Sequence, residues 1–476
     1  MNEELHSSAN SAGTTSADEA TEPCKSVLQK QGAYGKVPIH KHSKFGQLAR
    51  ISEVYALAKF VAKGQVADNM QNQIPYKDDD IKFCDDILGK VSRSFAAVIR
   101  QLPEGLCVEI LVFYLVLRGL DTIEDDMEAF VGREKFKLDH LRNFYKTPFS
   151  QEGWSMDGVG QGDEKVLLQN FFKVVRVFKG LSLESQEIIS DITQRMGEGM
   201  ALFAGRNLTQ GTHDIKDYNL YCHYVAGLVG EGLSRLFSSS SFESPEVTQS
   251  AKTLGNTMGL FLQKTNITRD YLEDLRDGRT FYPQEIWKRY SKTGDLSEFA
   301  ESKYQENALQ CLNHMVTDAL GCVPECLKYM ELLKNKQVFR FCAIPQVMAI
   351  ATLADLYNNP KVFTGVVKIR KGLAVKLLNE TQSEEALHKQ FNHFARQILS
   401  SIPQGDQNSS KTKEICENII SLTNLKANLY GNSTEVQLLL SGTPIAIALA
   451  ANWIGVFYAS LLMVAFVLFI RMASLI

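Results

Sequence analysis

The sequence predicts an all-α fold with one large helical body, on three observations. Segments between about residues 45 and 400 repeat apolar residues at helical spacing, and few runs alternate as strands do. Residues 106–120, just before Asp121, are apolar nearly all round, as a deeply buried helix would be. Hydrophobic residues make up 45% of the 476-residue chain, which is enough for a large core. We therefore expect a single helical catalytic domain over residues 45–400.

Charge and cysteine content exclude two classes of protein. Lys and Arg number 51 against 54 Asp and Glu, so the basic excess of a nucleic-acid-binding protein is missing. Nine scattered cysteines, an odd number, do not fit a disulfide scaffold. Cys322 and Cys326 lack a following pair at zinc-finger spacing, and we interpret them as reduced, buried thiols. Gly158, Gly160 and Gly162 follow no predicted strand and indicate a loop, not a dinucleotide-binding turn.

The two ends of the chain differ from its helical middle. Residues 1–44 are polar without an apolar period, and we expect a disordered tail there. Residues 401–444 open with a polar, turn-rich stretch and are expected to form a linker. Residues 445–470 carry no charge, and as a helix they would span about 39 Å against a hydrocarbon core of about 30 Å. They predict a transmembrane anchor, with a buried core helix as the alternative.

The position of this anchor predicts the topology. Only six residues follow Ile470, so the segment leaves the ribosome too late for co-translational capture. We therefore expect a tail anchor, with the body of the protein in the cytosol.

One acidic pattern, D-x-x-E-D, occurs twice, each time at the end of an apolar segment. The first acidic row is Asp121, Glu124 and Asp125, and the second acidic row is Asp270, Glu273 and Asp274. At 3.6 residues per turn, the three carboxylates of each row share one helix face. Carboxylates so arranged repel each other and therefore favour a cation. Hard oxygen ligands suit Mg²⁺, which often shares the oxygens of a phosphate group.

Each row continues upstream as a line of polar residues on an otherwise apolar surface. Tyr114 and Arg118 precede the first row, and Gln263 and Asn266 precede the second, all at helical spacing. Buried polar groups are costly unless they are paired. We expect two facing helices that hold Mg²⁺ and a diphosphate above a cavity for a long hydrocarbon chain, an arrangement suited to ionising an allylic diphosphate. The alternative is two helix ends with solvated acidic clusters.

Six segments of the chain resemble the squalene synthases of the head-to-head trans-prenyltransferase family. These segments are residues 91–96, 114–121, 221–227, 259–274, 341–346 and 367–372. The resemblance covers roughly residues 48–378 and implies an isoprenoid-synthase-type helical bundle with a central apolar cavity, as a monomeric catalytic domain. The hydrophobic C-terminus is similar to that of eukaryotic members anchored in the endoplasmic reticulum, which implies the same membrane for this chain.

The resemblance implies a reaction in two halves. Two farnesyl diphosphates join to give presqualene diphosphate, which is ionised, rearranged and reduced by NADPH to squalene. In the family pattern, the two acidic rows bind Mg²⁺. The residues that match positions associated with diphosphate or NADPH phosphates are Arg93, Arg118, Arg269, Lys368 and Arg370. Guanidinium groups suit this role because they bind phosphate with two parallel hydrogen bonds.

The resemblance also suggests roles for uncharged residues. Tyr221 matches a tyrosine proposed to remove the proton during ring closure, and Phe95 and Phe341 match aromatic positions of the carbocation pocket, where ring faces stabilise a cation. As isolated residues, the alternatives are a buried hydrogen-bonded tyrosine and ordinary core packing. The residues we expect at the substrate are Ser94, Tyr114, Gln263 and Asn266.

Other residues depart from the pattern or admit a structural interpretation. Glu231 replaces an expected apolar residue and either faces solvent or pairs with a cation, and the loop at 149–163 does not match the family well. We interpret His223 as a structural histidine and Cys342 as packing.

Two rival functions share these sequence features. A phytoene or dehydrosqualene synthase would have the same acidic helices but omit the reduction. The basic segment 368–371 and the C-terminal anchor argue against that rival. A non-catalytic helical protein would tolerate a broken acidic pattern, whereas both rows are intact.

Overall fold

The computed structural model is helical throughout the described part of the chain. It describes residues 37–40, 50, 52–56 and 78–430, apart from the side chains of 93, 94 and 425–430. Within those residues the only β-pairing is one isolated parallel bridge between Ile39 and Val366. The predicted all-α class is therefore confirmed.

The first half of the described body surrounds one apolar helix. Its helices are α1 (Asp79–Val91), α2 (Arg93–Ile99), α3 (Glu104–Asp125), α4 (Glu134–Asn143), α5 (Thr147–Ser150), α6 (Gly162–Gln169), α7 (Phe171–Lys179) and α8 (Leu183–Ala204). Helix α3 contacts α1, α2, α4, α6, α7 and α8, which explains why its sequence is apolar nearly all round.

The second half of the body begins with two helical stretches that each contain a π-helical segment. Its first elements are α9 (Ile215–Cys222), the first π segment (His223–Gly227), α10 (Leu228–Ser239), α11 (Pro245–Gln249), the second π segment (Ala251–Gly255), α12 (Asn256–Arg269) and α13 (Tyr271–Arg276). Helix α10 contacts both α3 and α12. The two helices that carry the acidic rows therefore lie on either side of α10.

Glycines bring the two π-containing stretches into backbone contact. A Cβ atom on Gly230 would lie 2.0 Å from the carbonyl oxygen of Gly255, and one on Gly259 would lie 2.0 Å from that of Ala226. No side chain fits at such distances, so only glycine allows this approach. The contact places α12, which leads into the second acidic row, against the first π segment and α10. Helix α10 in turn packs on α3.

The remaining elements complete the far side of the body. They are α14 (Gln284–Trp287), the 3₁₀ turns Leu296–Ala300 and Ser302–Tyr304, α15 (Gln305–Leu320), α16 (Val323–Leu332), α17 (Lys336–Leu356), the 3₁₀ turn Pro360–Phe363, α18 (Lys371–Glu380), α19 (Glu384–Ser400) and α20 (Ser409–Tyr430). Of the described helices, α17 alone is long and apolar enough to cross a membrane. Because 72% of its most apolar window is buried and it contacts α2, α12, α15, α16, α18 and α19, it is a core helix of this body.

Two expected boundaries differ from the structure. The predicted linker at 401–444 contains helix α20, which packs along α19 and buries Cys416 and Ile419. The polar residues at the start of this segment do not indicate a helix, although α20 begins at Ser409. Residues 37–40, which the sequence assigned to the tail, pair with the segment around Val366 through hydrogen bonds of 3.0 and 2.9 Å. The predicted anchor at 445–470 lies outside the described residues.

Candidate functional site

The first acidic row ends α3 and is only partly buried. Glu124 is only 3% exposed, whereas half of the Asp125 side chain is exposed. The next carboxylate, Asp126, is not part of the row, because its oxygens accept hydrogen bonds from the backbone amides of Glu128, Ala129 and Gly160. Asp126 therefore ends the helix and fixes the neighbouring loop.

The second acidic row spans a break between two helices. Asp270 separates α12 from α13 with φ −93° and ψ 15°. Its amide still donates to the Asn266 carbonyl at 2.9 Å, and its own carbonyl accepts from the Asp274 amide at 2.9 Å. Because these two i→i+4 bonds survive, the helical pitch continues and Asp270, Glu273 and Asp274 stay on one face. Arg269 binds Asp270 with two hydrogen bonds of 2.7 and 2.6 Å.

Arg279 connects the two rows, and the sequence analysis missed it. It follows the second row by five residues, yet its guanidinium binds Glu124 at 2.5 Å and Asp125 at 2.7 Å. Burial and repulsion from Asp270 raise the pKa of Asp274, and the charge of the same arginine opposes that rise. The rows therefore lie within electrostatic range of each other at one site. No spacing rule links an arginine after α13 to the end of α3, so the sequence carried no signal for it.

Burial and mutual repulsion hold the carboxyl groups of this site above their usual pKa. Burial is the main cause for Asp121, whose pKa is raised to about 7 against the opposing charge of Arg118. Burial likewise raises the pKa of Glu124 to about 8, although Arg279 opposes the shift. Burial followed by repulsion from Asp270 raises the pKa of Asp274. Oxygen donors with excess negative charge are the donor set that a hard divalent cation favours, so these residues fit Mg²⁺.

Arg118 presents an unused donor beside the first row. One of its terminal nitrogens donates to the Tyr114 hydroxyl at 3.0 Å, and the other lies 3.7 Å from Glu164. Its Nε is buried and has no hydrogen-bond partner among the described residues. A buried unpaired donor is costly, and an anionic ligand would satisfy it.

Three adjoining cavities open beneath the acidic rows, and Phe95 lines all of them. The largest, about 440 Å³, runs from Asn266 and Arg269 between α12, α17 and α18. The smallest, about 130 Å³, runs from Arg118 and Asp121 into an otherwise apolar space. The smallest cavity therefore reaches the first row at Asp121, and the largest ends at Arg269, the residue before the second row.

The middle cavity, about 210 Å³, joins the two outer ones. Gln263 and Asn266 line it on α12, and Phe341 lines both it and the smallest cavity. Phe95 is 37% exposed within this space, whereas Phe341 is 6% exposed and packs against Phe237. The two phenylalanines thus face the cavities, not only the core.

Tyr221 lies within electrostatic range of both rows at the end of α9. Its ring stacks on Phe281 with centroids 4.1 Å apart and an angle of 12° between planes. Burial raises its pKa, Glu124 and Asp274 add to the effect, and Arg279 opposes it. The hydroxyl therefore stays protonated at neutral pH unless positive charge is added nearby.

The predicted basic residues have different surroundings. Burial and repulsion from Asp270 raise the pKa of Glu273, and Lys368 is close enough to that carboxyl group to oppose the rise. Arg370 binds Glu53 with hydrogen bonds of 2.9 and 3.1 Å and lies 4.0 Å from Asp355. The side chains of Arg93 and Ser94 lie outside the described residues, although their backbone begins α2.

The structure also decides between alternatives that the sequence left open. Glu231 is buried and forms a two-pronged ion pair with Arg195 at 2.7 and 2.9 Å, so it does not face solvent. His223 contacts the Asn256 side chain at 2.7 Å, which agrees with a structural role. Burial raises the pKa of the Cys342 thiol, as expected of a packing residue.

Comparisons with known proteins agree on one family. The family model described as squalene/phytoene synthase matches residues 88–372. The squalene synthase of Mus musculus is 45% identical over 377 residues, which is 78% of this chain and 86% of that protein. The squalene synthase LSS of Botryococcus braunii is 48% identical over 338 residues, or 70% of each chain. A ligand complex of the squalene synthase TcSQS is 39% identical with a TM-score of 0.69, covering 73% of this chain and 99% of that one.

Proposed function

The chain belongs to the squalene/phytoene synthase family, and from that membership we propose that it is a squalene synthase. In this proposal it joins two farnesyl diphosphates head to head to presqualene diphosphate, with Mg²⁺. It then converts that intermediate to squalene with NADPH. The single observation that carries the proposal is the meeting of two acidic rows, linked by Arg279, above three cavities that converge on Phe95.

The residues that would hold Mg²⁺ are the six carboxylates of the two rows. When bound, the metal neutralises the charge that develops on a departing diphosphate. Arg118 supports the same departure because its buried Nε has hydrogen-bonding capacity to spare beside Asp121. Arg269 borders the largest cavity, where its guanidinium binds Asp270 of the second row. Each diphosphate therefore has acidic and basic groups at the mouth of an apolar cavity.

The cavities account for the hydrocarbon chains and the carbocations. Two prenyl chains need two apolar spaces that meet where their reacting carbons join, and Phe95 occupies that junction. The faces of Phe95 and Phe341 attract a cation electrostatically. Apolar walls exclude water, which would otherwise capture the carbocation as an alcohol.

Tyr221 is proposed as the base that removes the proton lost on ring closure. Its hydroxyl oxygen is buried in a site that already contains Glu124, Asp274 and Arg279. Because burial keeps this hydroxyl protonated, it accepts a proton only when it passes its own to a neighbouring diphosphate oxygen. The stack on Phe281 fixes the ring and therefore the direction of the hydroxyl.

The reductive half requires NADPH, which supplies a hydride when bound. Lys368 fits a phosphate of that cofactor, because it is a cation beside the second row. Arg370 fits less well, since its guanidinium is engaged by Glu53. The proposal therefore assigns the cofactor phosphate to Lys368, with Arg93 as a further predicted contact.

Residues 445–470 are proposed to anchor the enzyme in the endoplasmic reticulum membrane with the catalytic body in the cytosol. The support is the uncharged 26-residue sequence and the eukaryotic relatives. A fluorescent fusion at the N-terminus should colocalise with that membrane and remain sensitive to protease outside intact microsomes. Loss of membrane association on deletion of 445–470 is the expected control result.

Product analysis tests the function directly. The full chain, purified in detergent, is incubated with farnesyl diphosphate and Mg²⁺, with and without NADPH, and the hydrocarbons are separated by gas chromatography. We expect squalene only when all three are present. Hydrocarbon output that ignored NADPH would favour the phytoene or dehydrosqualene synthase alternative. If farnesyl diphosphate were not converted under any condition, both the proposed function and this alternative would be wrong.

A further inference from the structure

The contact between Arg279 and the first acidic row has a consequence for metal binding. Arg279 is mostly buried, with 17% of its side chain exposed, and its two terminal nitrogens bind one oxygen each of Glu124 and Asp125. Those are two of the three carboxylates that the first row offers to a divalent cation. Because the guanidinium already offsets part of the negative charge on this pair, less of that charge remains to attract a metal ion.

The turn that carries Arg279 is held by its backbone and does not need the ion pairs. Gly278 has a φ of +70°, which glycine adopts without strain, and the Arg279 amide donates to the Asp274 carbonyl at 3.1 Å. The next residue, Thr280, is fixed to the Leu208 carbonyl by its amide at 2.9 Å. The guanidinium is therefore delivered to the first row by a prearranged turn.

From this geometry we infer that Arg279 is a built-in counter-cation that competes with divalent metal for the first acidic row. In the substrate-free enzyme it occupies Glu124 and Asp125 and weakens their affinity for a free metal ion. Such competition favours loading of the metal together with a diphosphate, whose charge both the metal and the arginine can share. The inference rests on the proposed function for the identity of the metal class, but not for the competition itself.

The competing expectation has the opposite sign. Arg279 also opposes the rise in the pKa of Glu124, so an arginine that merely keeps the row ionised would strengthen metal binding. If Arg279 competes with the metal, removing its guanidinium raises the metal affinity. If Arg279 only keeps the row ionised, removing it lowers the affinity.

The test measures Mn²⁺ binding, as a probe of hard divalent cations, on the full chain in detergent without substrate. Free Mn²⁺ is followed by electron paramagnetic resonance at pH 8.5, where proton competition for the carboxylates is weakest. For Arg279→Gln we expect affinity to rise about tenfold, within the range of about 5- to 150-fold typical of coupled sites. Arg279→Lys, which keeps the charge but loses the fork, should fall between Gln and the natural residue.

Arg289→Gln is the matched control, because Arg289 pairs with Glu285 at the surface and should leave the affinity unchanged. Weaker or unchanged binding in Arg279→Gln would overturn the inference. If that variant failed to fold by circular dichroism, Arg279→Lys would decide by the same criterion. Product analysis is a separate measurement, so a failed squalene assay and a failed competition test are distinguishable.

Discussion

The two acidic rows share one sequence pattern but stand on different backbones. The first row ends a continuous 22-residue helix that six helices of the first half surround, and Asp126 terminates it. The second row crosses a junction between α12 and α13, and the helix before it touches its neighbour through glycine. The first row thus ends an unbroken helix, whereas the second depends on a helix junction and on close contact between main chains.

The rows also differ in how their charge is balanced. Arg269 neutralises its own neighbour Asp270, while the first row depends on Arg279 from beyond the second row. Identical motifs therefore need different partners, and the partner of one is supplied by the segment that carries the other. The two rows therefore depend on each other as parts of one site.

The largest effect should follow loss of a carboxylate from either row. Asp121→Asn and Asp274→Asn should each lower the rate of squalene formation by at least about 10³-fold, equivalent to about 4 kcal/mol of transition-state stabilisation. Because groups that act as a unit are not additive, the double variant should lose little more than each single variant. Asp277→Asn, a neighbouring carboxylate outside the rows, is the control. Full turnover in either single variant would show that the two rows do not form one site.

Loss of the Tyr221 hydroxyl should have the next largest effect, since that residue lies within range of both rows. Tyr221→Phe keeps the stack on Phe281 but removes the proton acceptor, so presqualene diphosphate formation should fall about 10²-fold or more. Reduction of supplied presqualene diphosphate should be affected less. Quantitation of both half-reactions by chromatography makes the comparison. Equal losses in both would assign Tyr221 a general structural role.

A smaller effect should distinguish the roles of Lys368 and Arg370. Lys368→Ala should raise the KM for NADPH about tenfold, equivalent to about 1.4 kcal/mol of lost binding, with little change in presqualene diphosphate formation. Arg370→Ala should mainly lower thermal stability, because the buried Glu53 carboxylate loses its close partner and keeps Arg50 at 4.0 Å. Steady-state kinetics measure the KM for NADPH, and thermal unfolding measures the loss of stability. A larger NADPH defect in Arg370→Ala would reverse the assignment.

Loss of stability, not of activity, is expected where the helices that carry the rows are overpacked. A Cβ on Gly119 of α3 would meet ring atoms of Phe171 and Phe144 at 2.8 and 3.1 Å, which can move by a few tenths of an ångström. A Cβ on Gly259 of α12 would meet the Ala226 carbonyl oxygen at 2.0 Å, which can move only with its helix. Overpacking typically costs about 1–3 kcal/mol, and Gly259→Ala should lie at or above the top of that range, with Gly119→Ala below it. Denaturant unfolding measures the free energy that each variant loses. Equal losses would contradict the expectation that a main-chain contact is harder to relieve than a contact with an aromatic ring.

Local patterns made much of the fold and part of the site predictable. The helical period gave the all-α body, and the repeat of D-x-x-E-D led to Asp121 and Asp270 because residues on one helix face are fixed by the 3.6 period alone. The role of Arg279 could not be predicted, since its contact with Glu124 depends on how separate helices pack. The same reason hid the pairing of Arg370 with Glu53 across 317 residues.

Some misses have a different physical cause. Glu231 could not be assigned because burial of a charge depends on whether a partner such as Arg195 arrives from another helix. Helix α20 begins within the polar, turn-rich stretch 401–413, so composition there favours a linker, although the helix packs along α19 and buries Cys416 and Ile419. Long-range pairing and tertiary burial thus account for these differences, because local composition does not reveal either.

The glycine contact between the two π-containing stretches limits how this protein can evolve. Gly230, Gly255 and Gly259 line the middle cavity, so part of its wall is main chain. Neither Gly230 nor Gly259 can gain a side chain without moving a helix. A change in the shape of the accepted molecule would therefore arise from the lining side chains, such as Phe341 and Cys342 on α17, and libraries for altered product range belong there.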